Sequence, residues 1–406
     1  MPYRKRVLLT AAAAALGALA APQAAYTVPR PDGLRLDGVG VCDFPMKEQF
    51  EGRPWPLQRV LLDELWQDTR GKGIRVAVID TGVDDANPQL RDAVDASAGI
   101  DYTGGGGSDG TVDEVGHGTK VAGIIAARPR AGTGFVGLAP EATVIPIRQN
   151  DGRRGGLDRA MAAAIDHAIA EGAQVINISQ DTTRPLADDS LLGRAVARAV
   201  AEDVVVVAAA GNDGMDGRQR MTYPAAFDGV LAVAASDRNN ERAPFSQAGE
   251  FVGIAAPGVD IVSTVPGDGQ CTDNGTSFAA PYVAGVVALM RAKYPDWTAA
   301  QIIARIEQTA ERSVNGRDAF VGWGVVDPVR ALSGDDAPQD APHPDAPPSG
   351  ARAPEPAHLA LSETSQQRSK RYATYALASA AVLVGVVAGV ATVARDLRRR
   401  RVRHDR

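Results

Sequence analysis

Residues 274–281 read NGTSFAAP, and residues 282–290 continue with YVAGVVALM, a segment that is small or apolar throughout. A helix that is apolar on every side must be buried, and proline is tolerated in a first turn, where its missing N–H has no partner. The stretch therefore predicts a tight turn that delivers Ser277 to the N-terminus of a core helix. There the unpaired backbone N–H groups and the helix dipole favour a developing negative charge, so Ser277 is a candidate nucleophile. A serine that only caps the helix is the commoner alternative.

The body of the chain alternates between β-branched runs and helical segments. We predict strands at residues 74–79, 142–147, 174–178, 204–210 and 230–235, and helices at 60–66, 121–127, 157–171, 191–201 and 298–309. Strands that alternate with helices form a mostly parallel β-sheet with helices on both faces, an α/β fold. Active sites in such sheets lie at the carboxyl ends of the strands. Asp80 and Asn212 each follow a predicted strand, so both are candidates for an active site.

A serine nucleophile needs a base whose pKa lies near the working pH, and histidine is the usual one. The globular part of the chain contains two histidines, His117 and His167. His167 lies in an alanine-rich helical segment as a surface or packing residue, whereas His117 stands between two glycines at a predicted helix start. The base needs an acid that fixes its tautomer and stabilises the imidazolium, a role open to Asp80. Each motif also has a simpler interpretation when it is considered alone. Asp80 could be an ordinary turn residue, and the segment around His117 could be an ordinary loop.

Length and composition limit the classes of function that are open to this chain. The chain has 406 residues, 45% of them hydrophobic, and a formal net charge of −6. This length accommodates one large domain with appendages, and the hydrophobic content fills a sizeable core. Because no basic cluster lies in the body of the chain, we expect no nucleic acid as a partner. No acidic loop has a specific ligand pattern, so we assign no metal site, and we expect no organic cofactor.

Both ends of the chain carry hydrophobic segments. Residues 1–25 combine a basic start, a short apolar run and alanines, the pattern of a secretory signal peptide; an uncleaved anchor is the alternative. Residues 372–394 are uncharged and long enough to cross a bilayer as a helix. The arginine-rich residues 395–406 predict a cytoplasmic tail, with the body of this cell-membrane protein outside the cell. The remaining segments are an N-terminal extension at 26–70, a catalytic domain at 71–332 and a Pro/Ala-rich disordered linker at 333–371.

The sequence contains two cysteines, Cys42 and Cys271. In an exported protein an even count is compatible with one disulfide, which would join the extension to the loop before Ser277. Two unpaired buried thiols are the alternative. Nothing in the sequence places a base beside Cys271, so it is a poor candidate for a catalytic thiol.

Three motifs together resemble those of the subtilisin-like serine proteases. The chain carries Asp80-Thr81-Gly82, His117-Gly118-Thr119 and Gly275-Thr276-Ser277 in the order Asp, His, Ser that this family uses. The resemblance covers about residues 71–332. It implies that Ser277 attacks the scissile carbonyl, that His117 takes the proton of the hydroxyl, and that Asp80 orients the imidazole.

The same resemblance implies further site residues. The side-chain amide of Asn212 and the backbone N–H of Ser277 would hold the oxyanion. Four residues would line the substrate groove: Ser179, Gln180, Ala209 and Gly211. One departure concerns specificity, because subtilisins usually follow the strand at 176–179 with Leu-Gly-Gly, whereas residues 180–182 here are Gln-Asp-Thr. The preferred substrate side chain is therefore not predicted.

The order of the segments narrows the resemblance to the mycosins, the membrane-anchored subtilases of type VII secretion systems. It implies a protein or peptide substrate, partners among the secretion-system membrane components, and an extension that wraps the catalytic domain rather than acting as a removable inhibitor. Two alternatives stay open: a structural subunit of the secretion channel with an idle triad, and a general wall-anchored degradative subtilase. A lipase or esterase is disfavoured because GTSFA is not the Gly-x-Ser-x-Gly elbow of those enzymes.

Overall fold

The computed structural model describes residues 35–36, 42, 44–46, 48–104, 109–152, 158–334, 337–345 and 363–402. It divides the chain into two compact units, Met1–Ala346 and Pro347–Arg406. The predicted signal peptide lies outside the described residues, as do residues 346–362 of the predicted linker and residues 403–406 of the predicted tail.

A parallel sheet forms the centre of the first unit. The strands in chain order are β1 (Arg35–Leu36), β2 (Arg75–Asp80), β3 (Ile100–Asp101), β4 (Thr143–Arg148), β5 (Val175–Ile178), β6 (Gln180–Asp181), β7 (Val205–Ala209), β8 (Val230–Ser236), β9 (Ile254–Pro257), β10 (Ile261–Thr264) and β11 (Gln270–Asp273). The helices are α1 (Trp55–Arg59), α2 (Leu62–Leu65), α3 (His117–Ala126), α4 (Asp158–Ala170), α5 (Leu191–Ala201), α6 (Thr276–Lys293), α7 (Ala299–Thr309) and α8 (Pro328–Leu332). Seven strands pair in the order β3-β4-β2-β5-β7-β8-β9, all parallel, and the pairs β1–β6 and β10–β11 are antiparallel. The predicted α/β fold is confirmed.

Helices cover both faces of this sheet, because side chains alternate between the faces of a strand. On β2, Val76 and Val78 pack in the core with α3 and α6, whereas Ala77 and Ile79 belong to the opposite core with α4 and α5. Helix α6 is buried along nearly its whole length and contacts β5, β7, β8 and β9. Its apolar sequence thus places it in the core, as predicted.

Two details beside the candidate site differ from the prediction. Helix α3 begins at His117 rather than at Val121, because Gly116 adopts a left-handed backbone with φ of 81° and ends the loop directly before the histidine. Pro281 lies inside α6 rather than in its first turn. The missing N–H of this proline would have bonded the backbone oxygen of Ser277, which instead accepts a hydrogen bond from Oγ of Ser179 at 3.0 Å. A side chain thus replaces the donor that the proline lacks.

Contacts of the first unit continue past Leu332, the predicted end of the catalytic domain. Nε2 of Gln301 donates to Oδ1 of Asp340 at 3.0 Å, and the backbone N–H of His343 donates to Oε1 of Gln308 at 2.6 Å. The first residues of the predicted linker therefore lie against α7.

The second unit contains one long helix, α9 (Ser365–Val402), which includes the predicted span at residues 372–394. Its segment Ser365–Arg399 is long and apolar enough to cross a membrane, judged by length and composition.

Candidate active site

The fold brings the three predicted triad residues to the carboxyl edge of the sheet. Asp80 is the last residue of β2, His117 is the first residue of α3, and Ser277 is the second residue of α6. No more than 1% of each residue is exposed. Because buried polar groups are costly unless they are paired, the contacts of these side chains define what the site can do.

His117 and Asp80 form a buried hydrogen-bonded pair. Nδ1 of His117 lies 2.7 Å from Oδ1 of Asp80. Because a carboxylate only accepts, Nδ1 carries the proton, and the lone pair of the neutral ring is on Nε2. Within the described part of the chain, Nε2 has no hydrogen-bond partner. Burial opposes protonation of the ring, but the charge and the hydrogen bond of Asp80 favour it, and the pKa of His117 lies above its ordinary value.

Ser277 and Ser179 exchange two hydrogen bonds. Oγ of Ser277 donates to the backbone oxygen of Ser179 at 3.1 Å, and Oγ of Ser179 donates to the backbone oxygen of Ser277 at 3.0 Å. Nδ2 of Asn177, on β5, donates to Oγ of Ser179 at 2.9 Å. The sheet therefore positions the start of α6, whose first N–H groups have no partner within the helix.

Asn212 lies at the same helix start. Its Oδ1 accepts hydrogen bonds from the backbone N–H of Thr276 at 2.9 Å and from Oγ1 of Thr276 at 3.1 Å. The backbone N–H of Gly211 in turn donates to Oγ1 of Thr276 at 3.1 Å. Because the N–H of Thr276 can only donate, these bonds assign the oxygen of the carboxamide and leave its NH₂ group at the opposite end.

Of the four predicted groove residues, Ser179 and Gly211 contact this helix start. Ser179 contacts Ser277 directly, and Gln180 is the first residue of β6. Ala209 ends β7, and Gly211 follows it with a left-handed backbone, φ 98°. These four residues lie at the carboxyl ends of neighbouring parallel strands or directly beyond them.

Sequence reasoning missed Asp113, which braces the loop before His117. This buried carboxylate accepts hydrogen bonds from the backbone N–H groups of Gly116 at 2.7 Å and Thr119 at 2.9 Å. It also accepts from the hydroxyls of Thr119 at 2.6 Å and Thr81 at 2.8 Å. Burial raises the pKa of Asp113, and these hydrogen bonds oppose the rise. The sequence offered no specific signal, because Asp113 lies before the N-cap position of α3, which Gly116 occupies.

A second missed feature is a buried ion pair between Lys120 and Asp273. Nζ of Lys120 lies 2.7 Å from Oδ2 of Asp273, and their side chains are 3% and 6% exposed. Nζ also lies 5.9 Å from the ring centroid of Phe278, the residue after Ser277. The pair therefore ties the helix of His117 to the strand that leads to Ser277.

Cys42 and Cys271 are bonded to each other in the structure, with their Cα atoms 6.5 Å apart. Because Cys271 lies in β11, this disulfide joins the N-terminal extension to the β10–β11 hairpin. Among the residues that the structure describes, no group of three or more His, Cys, Asp or Glu side chains is arranged to hold a metal ion.

Sequence comparison places the chain among known proteins. The model of the subtilase family, peptidase S8, matches residues 71–324. Mycosin-4 of Mycobacterium tuberculosis is 39% identical over 383 residues, which cover 83% of this chain and 81% of that relative. Mycosin-1 of Mycolicibacterium smegmatis is 36% identical over 359 residues, which cover 74% of this chain and 78% of that relative.

Solved structures agree with these sequence matches. A chain of an intact ESX-5 inner membrane complex matches with a TM-score of 0.64 and 34% identity, covering 89% of this chain and 94% of that one. The crystal structure of MycP1 from the ESX-1 type VII secretion system matches with a TM-score of 0.64 and 35% identity, covering 74% of this chain and 90% of that one. The chain therefore belongs to the subtilase family and is a mycosin-like serine protease, a hydrolase.

Proposed function

We propose that this protein is an endopeptidase that hydrolyses peptide bonds through Asp80, His117 and Ser277. The observation that carries the proposal is the 2.7 Å hydrogen bond between the buried Asp80 carboxylate and Nδ1 of His117. A histidine whose Nδ1 is held by a buried acid acts as a base through Nε2. Ser277, at the N-terminus of α6, is the nucleophile for that base.

The reaction begins when Oγ of Ser277 attacks the carbonyl carbon and Nε2 of His117 takes the hydroxyl proton. For this step the hydroxyl rotates about χ1 from the backbone oxygen of Ser179 towards Nε2. Asp80 stabilises the imidazolium, the effect that also raises the pKa of His117. The imidazolium then protonates the leaving amine as the C–N bond breaks. Water, deprotonated by the same nitrogen, hydrolyses the acyl ester and restores Ser277.

We assign the oxyanion that forms in each step to Asn212 and the backbone N–H of Ser277. The two hydrogen bonds from Thr276 hold the carboxamide oxygen of Asn212, so the NH₂ group is the end that remains to donate to substrate. A donor held in place before the reaction stabilises the developing charge without reorganising.

We further propose that the protease is anchored in the cell membrane beside components of a type VII secretion system. Two findings support this setting: the match to a chain of the ESX-5 inner membrane complex, and the apolar length of α9. The arginines at 395–406 favour a cytoplasmic tail and an extracellular catalytic domain. The substrate is then a protein or peptide on the outer side of the membrane.

A structural role in the secretion channel is the second candidate function. The match to the ESX-5 complex chain favours it, because the match covers 89% of this chain and so extends well beyond residues 71–324. The two roles are compatible. The test below decides whether the catalytic role is present.

The test uses the full chain in detergent micelles and a fluorophosphonate probe, which labels activated serines. We expect label on the peptide that contains Ser277, no label in Ser277→Ala, and labelling slowed by about 10³-fold in His117→Ala. His167→Ala is the matched control. Nε2 of His167 is hydrogen-bonded to the backbone oxygen of Ala98 at 2.9 Å, away from the triad, so its labelling rate should stay within about twofold.

Two outcomes contradict the catalytic proposal. Label at another serine, or equal labelling of His117→Ala and the parent chain, would show that no base activates Ser277. A folded chain that resists labelling altogether would favour the structural role.

A further inference from the structure

Phe278, the residue after the candidate nucleophile, contacts the candidate base. Its side chain is fully buried, and its ring centroid lies 5.4 Å from that of the His117 imidazole, with the two ring planes tilted by 44°. Rings at this separation contribute packing energy beyond their buried area. Asp80 holds Nδ1 of the imidazole, and Phe278 is a second contact of the same ring. The placement of the base therefore depends on the first turn of α6 as well as on β2.

Lys120 contacts the same aromatic ring. It follows His117 by three residues, so the two side chains lie on one face of α3. Nζ of Lys120 lies 5.9 Å from the ring centroid of Phe278, within the range of a cation–π interaction, and 2.7 Å from Oδ2 of Asp273. Because the ammonium and the carboxylate are both buried, solvent screens their attraction only weakly. The ion pair therefore holds a positive charge beside Phe278, and Asp273 itself lies four residues before Ser277.

The β10–β11 hairpin, which ends at Asp273, is also bonded to the backbone of α3. Oγ of Ser263, on β10, donates to the backbone oxygen of Lys120 at 2.6 Å. Oγ1 of Thr264, the next residue, donates to the backbone oxygen of Thr119 at 2.9 Å. These bonds fix the hairpin on α3, so the carboxylate of Asp273 has a fixed place from which to hold Lys120.

We propose that Lys120 and Asp273 are positioning residues, which hold Phe278 against the imidazole of His117 and so set the placement of the base relative to Ser277. The inference rests on the proposed peptide-cleaving function. A catalytic group that is displaced by about 1 Å loses up to about 10²-fold in rate. Breaking the ion pair should therefore slow the reaction of Ser277 although neither partner touches the substrate.

The ammonium of Lys120 also acts on the imidazole through its charge. The charged groups that influence His117 are Asp80 on β2, Asp113 in the loop before α3, and Lys120 on α3 with its partner Asp273 on β11, whereas the first turn of α6 carries no charge. Burial lowers the pKa of His117, Asp80 and Asp113 raise it above its ordinary value, and Lys120 opposes that rise. Removing the ammonium should therefore raise the pKa of His117 further, which a loss of packing elsewhere in the domain would not do.

The test measures fluorophosphonate labelling of the full chain in detergent micelles over a range of pH. Lys120→Met removes the ammonium and keeps an unbranched side chain. A double variant adds Asp273→Asn, because a buried carboxylate that has lost its ammonium is costly to the fold. Arg291→Met is the matched control, since it breaks another ion pair of α6, that of Arg291 with Asp203 at 2.9 Å, in the last turn of the same helix. Rates are compared per folded molecule, as measured by circular dichroism.

We expect Lys120→Met to be labelled about 10–100-fold more slowly than the parent chain where the base is neutral, with the midpoint of its pH profile shifted upward. The double variant should be no slower than Lys120→Met, because the two partners act as a unit. Arg291→Met should stay within about twofold of the parent rate and keep its midpoint. Labelling of the double variant at the rate of Arg291→Met, or an unchanged midpoint in Lys120→Met, would overturn the proposal.

Failure of the proposed function would appear separately, as absence of label on the parent chain. Nuclear magnetic resonance of chains carrying Ser277→Ala then decides the proposal, because it needs no active triad. The ring of Phe278 displaces the Cε1–H resonance of His117, so Lys120→Met should change that resonance and raise the pKa at which it titrates. The same resonance and the same pKa with and without Lys120→Met would overturn the positioning role.

Discussion

Replacing Asp113 by asparagine tests the inference that this carboxylate braces the loop of His117. Oδ1 accepts from the N–H groups of Gly116 and Val115 and from the hydroxyl of Thr81, and Oδ2 accepts from both the N–H and the hydroxyl of Thr119. An amide has only one acceptor oxygen, so whichever way it points, a buried backbone N–H loses its partner. Such an orphaned donor costs about 1–3 kcal/mol, and the remaining bonds lose their charge. We expect Asp113→Asn to lower the free energy of unfolding by about 2–4 kcal/mol.

The same substitution should slow the reaction of Ser277. Displacing a catalytic group by about 1 Å costs up to about 10²-fold in rate, so we expect fluorophosphonate labelling to slow by about 10–100-fold. Asp109→Asn is the matched control, because Oδ1 of Asp109 alone accepts from the N–H and hydroxyl of Thr111, and an amide oxygen can do the same. We expect the control to change the unfolding free energy by less than about 0.5 kcal/mol. If Asp113→Asn matches this control in urea unfolding and in labelling rate, the bracing role is refuted.

Three further predictions concern other groups. Because the pKa of His117 is raised and the base must be neutral, the labelling rate should fall on acidification with a midpoint above pH 6.5; a midpoint below that value would contradict the Asp80 pairing. Asn212→Ala should lower kcat on a peptide substrate by about 10²–10³-fold with little change in KM, and a change confined to KM would remove Asn212 from the oxyanion site. Burial raises the pKa of Glu307 to about 7, so the folded state binds a proton that the unfolded state has lost, and stability falls as the pH rises from about 4.5 to 7. Glu307→Gln should remove that fall in the free energy of unfolding, which is at most about 3 kcal/mol. Urea unfolding at several pH values measures it, and the same dependence on pH in both proteins would show that Glu307 is not responsible.

Much of the fold was predictable because its signals are local. A run of β-branched residues ending in an acid predicts a buried strand wherever it packs, and β2 ends at Asp80 as its sequence indicates. The apolar segment after Ser277 predicts a buried helix by the same reasoning, and α6 is that helix. Strands β9, β10 and β11 were not predicted, since they are only four residues long and lie among glycines and prolines that predict turns.

The candidate site was predictable only where a residue type implied its chemistry. A lone histidine between glycines, an acid after a strand and a serine before an apolar helix each restrict the roles open to them, so they could be proposed together. Nothing local marks Asp113 as the acceptor of hydrogen bonds from four other residues, or Lys120 as half of a buried ion pair. Those roles depend on partners brought close by packing.

The sequence by itself thus determined the alternation of the longer strands and helices, the apolar C-terminal helix and the residue types available for catalysis, because periodicity, turn chemistry and hydrophobicity act over a few residues. Only the tertiary structure decided that β1 pairs with β6, that Cys42 meets Cys271 and that Asn212 turns its oxygen towards Thr276. Each of these contacts joins residues far apart in the chain. Their geometry follows from how the helices and loops pack on the sheet, which no short segment encodes.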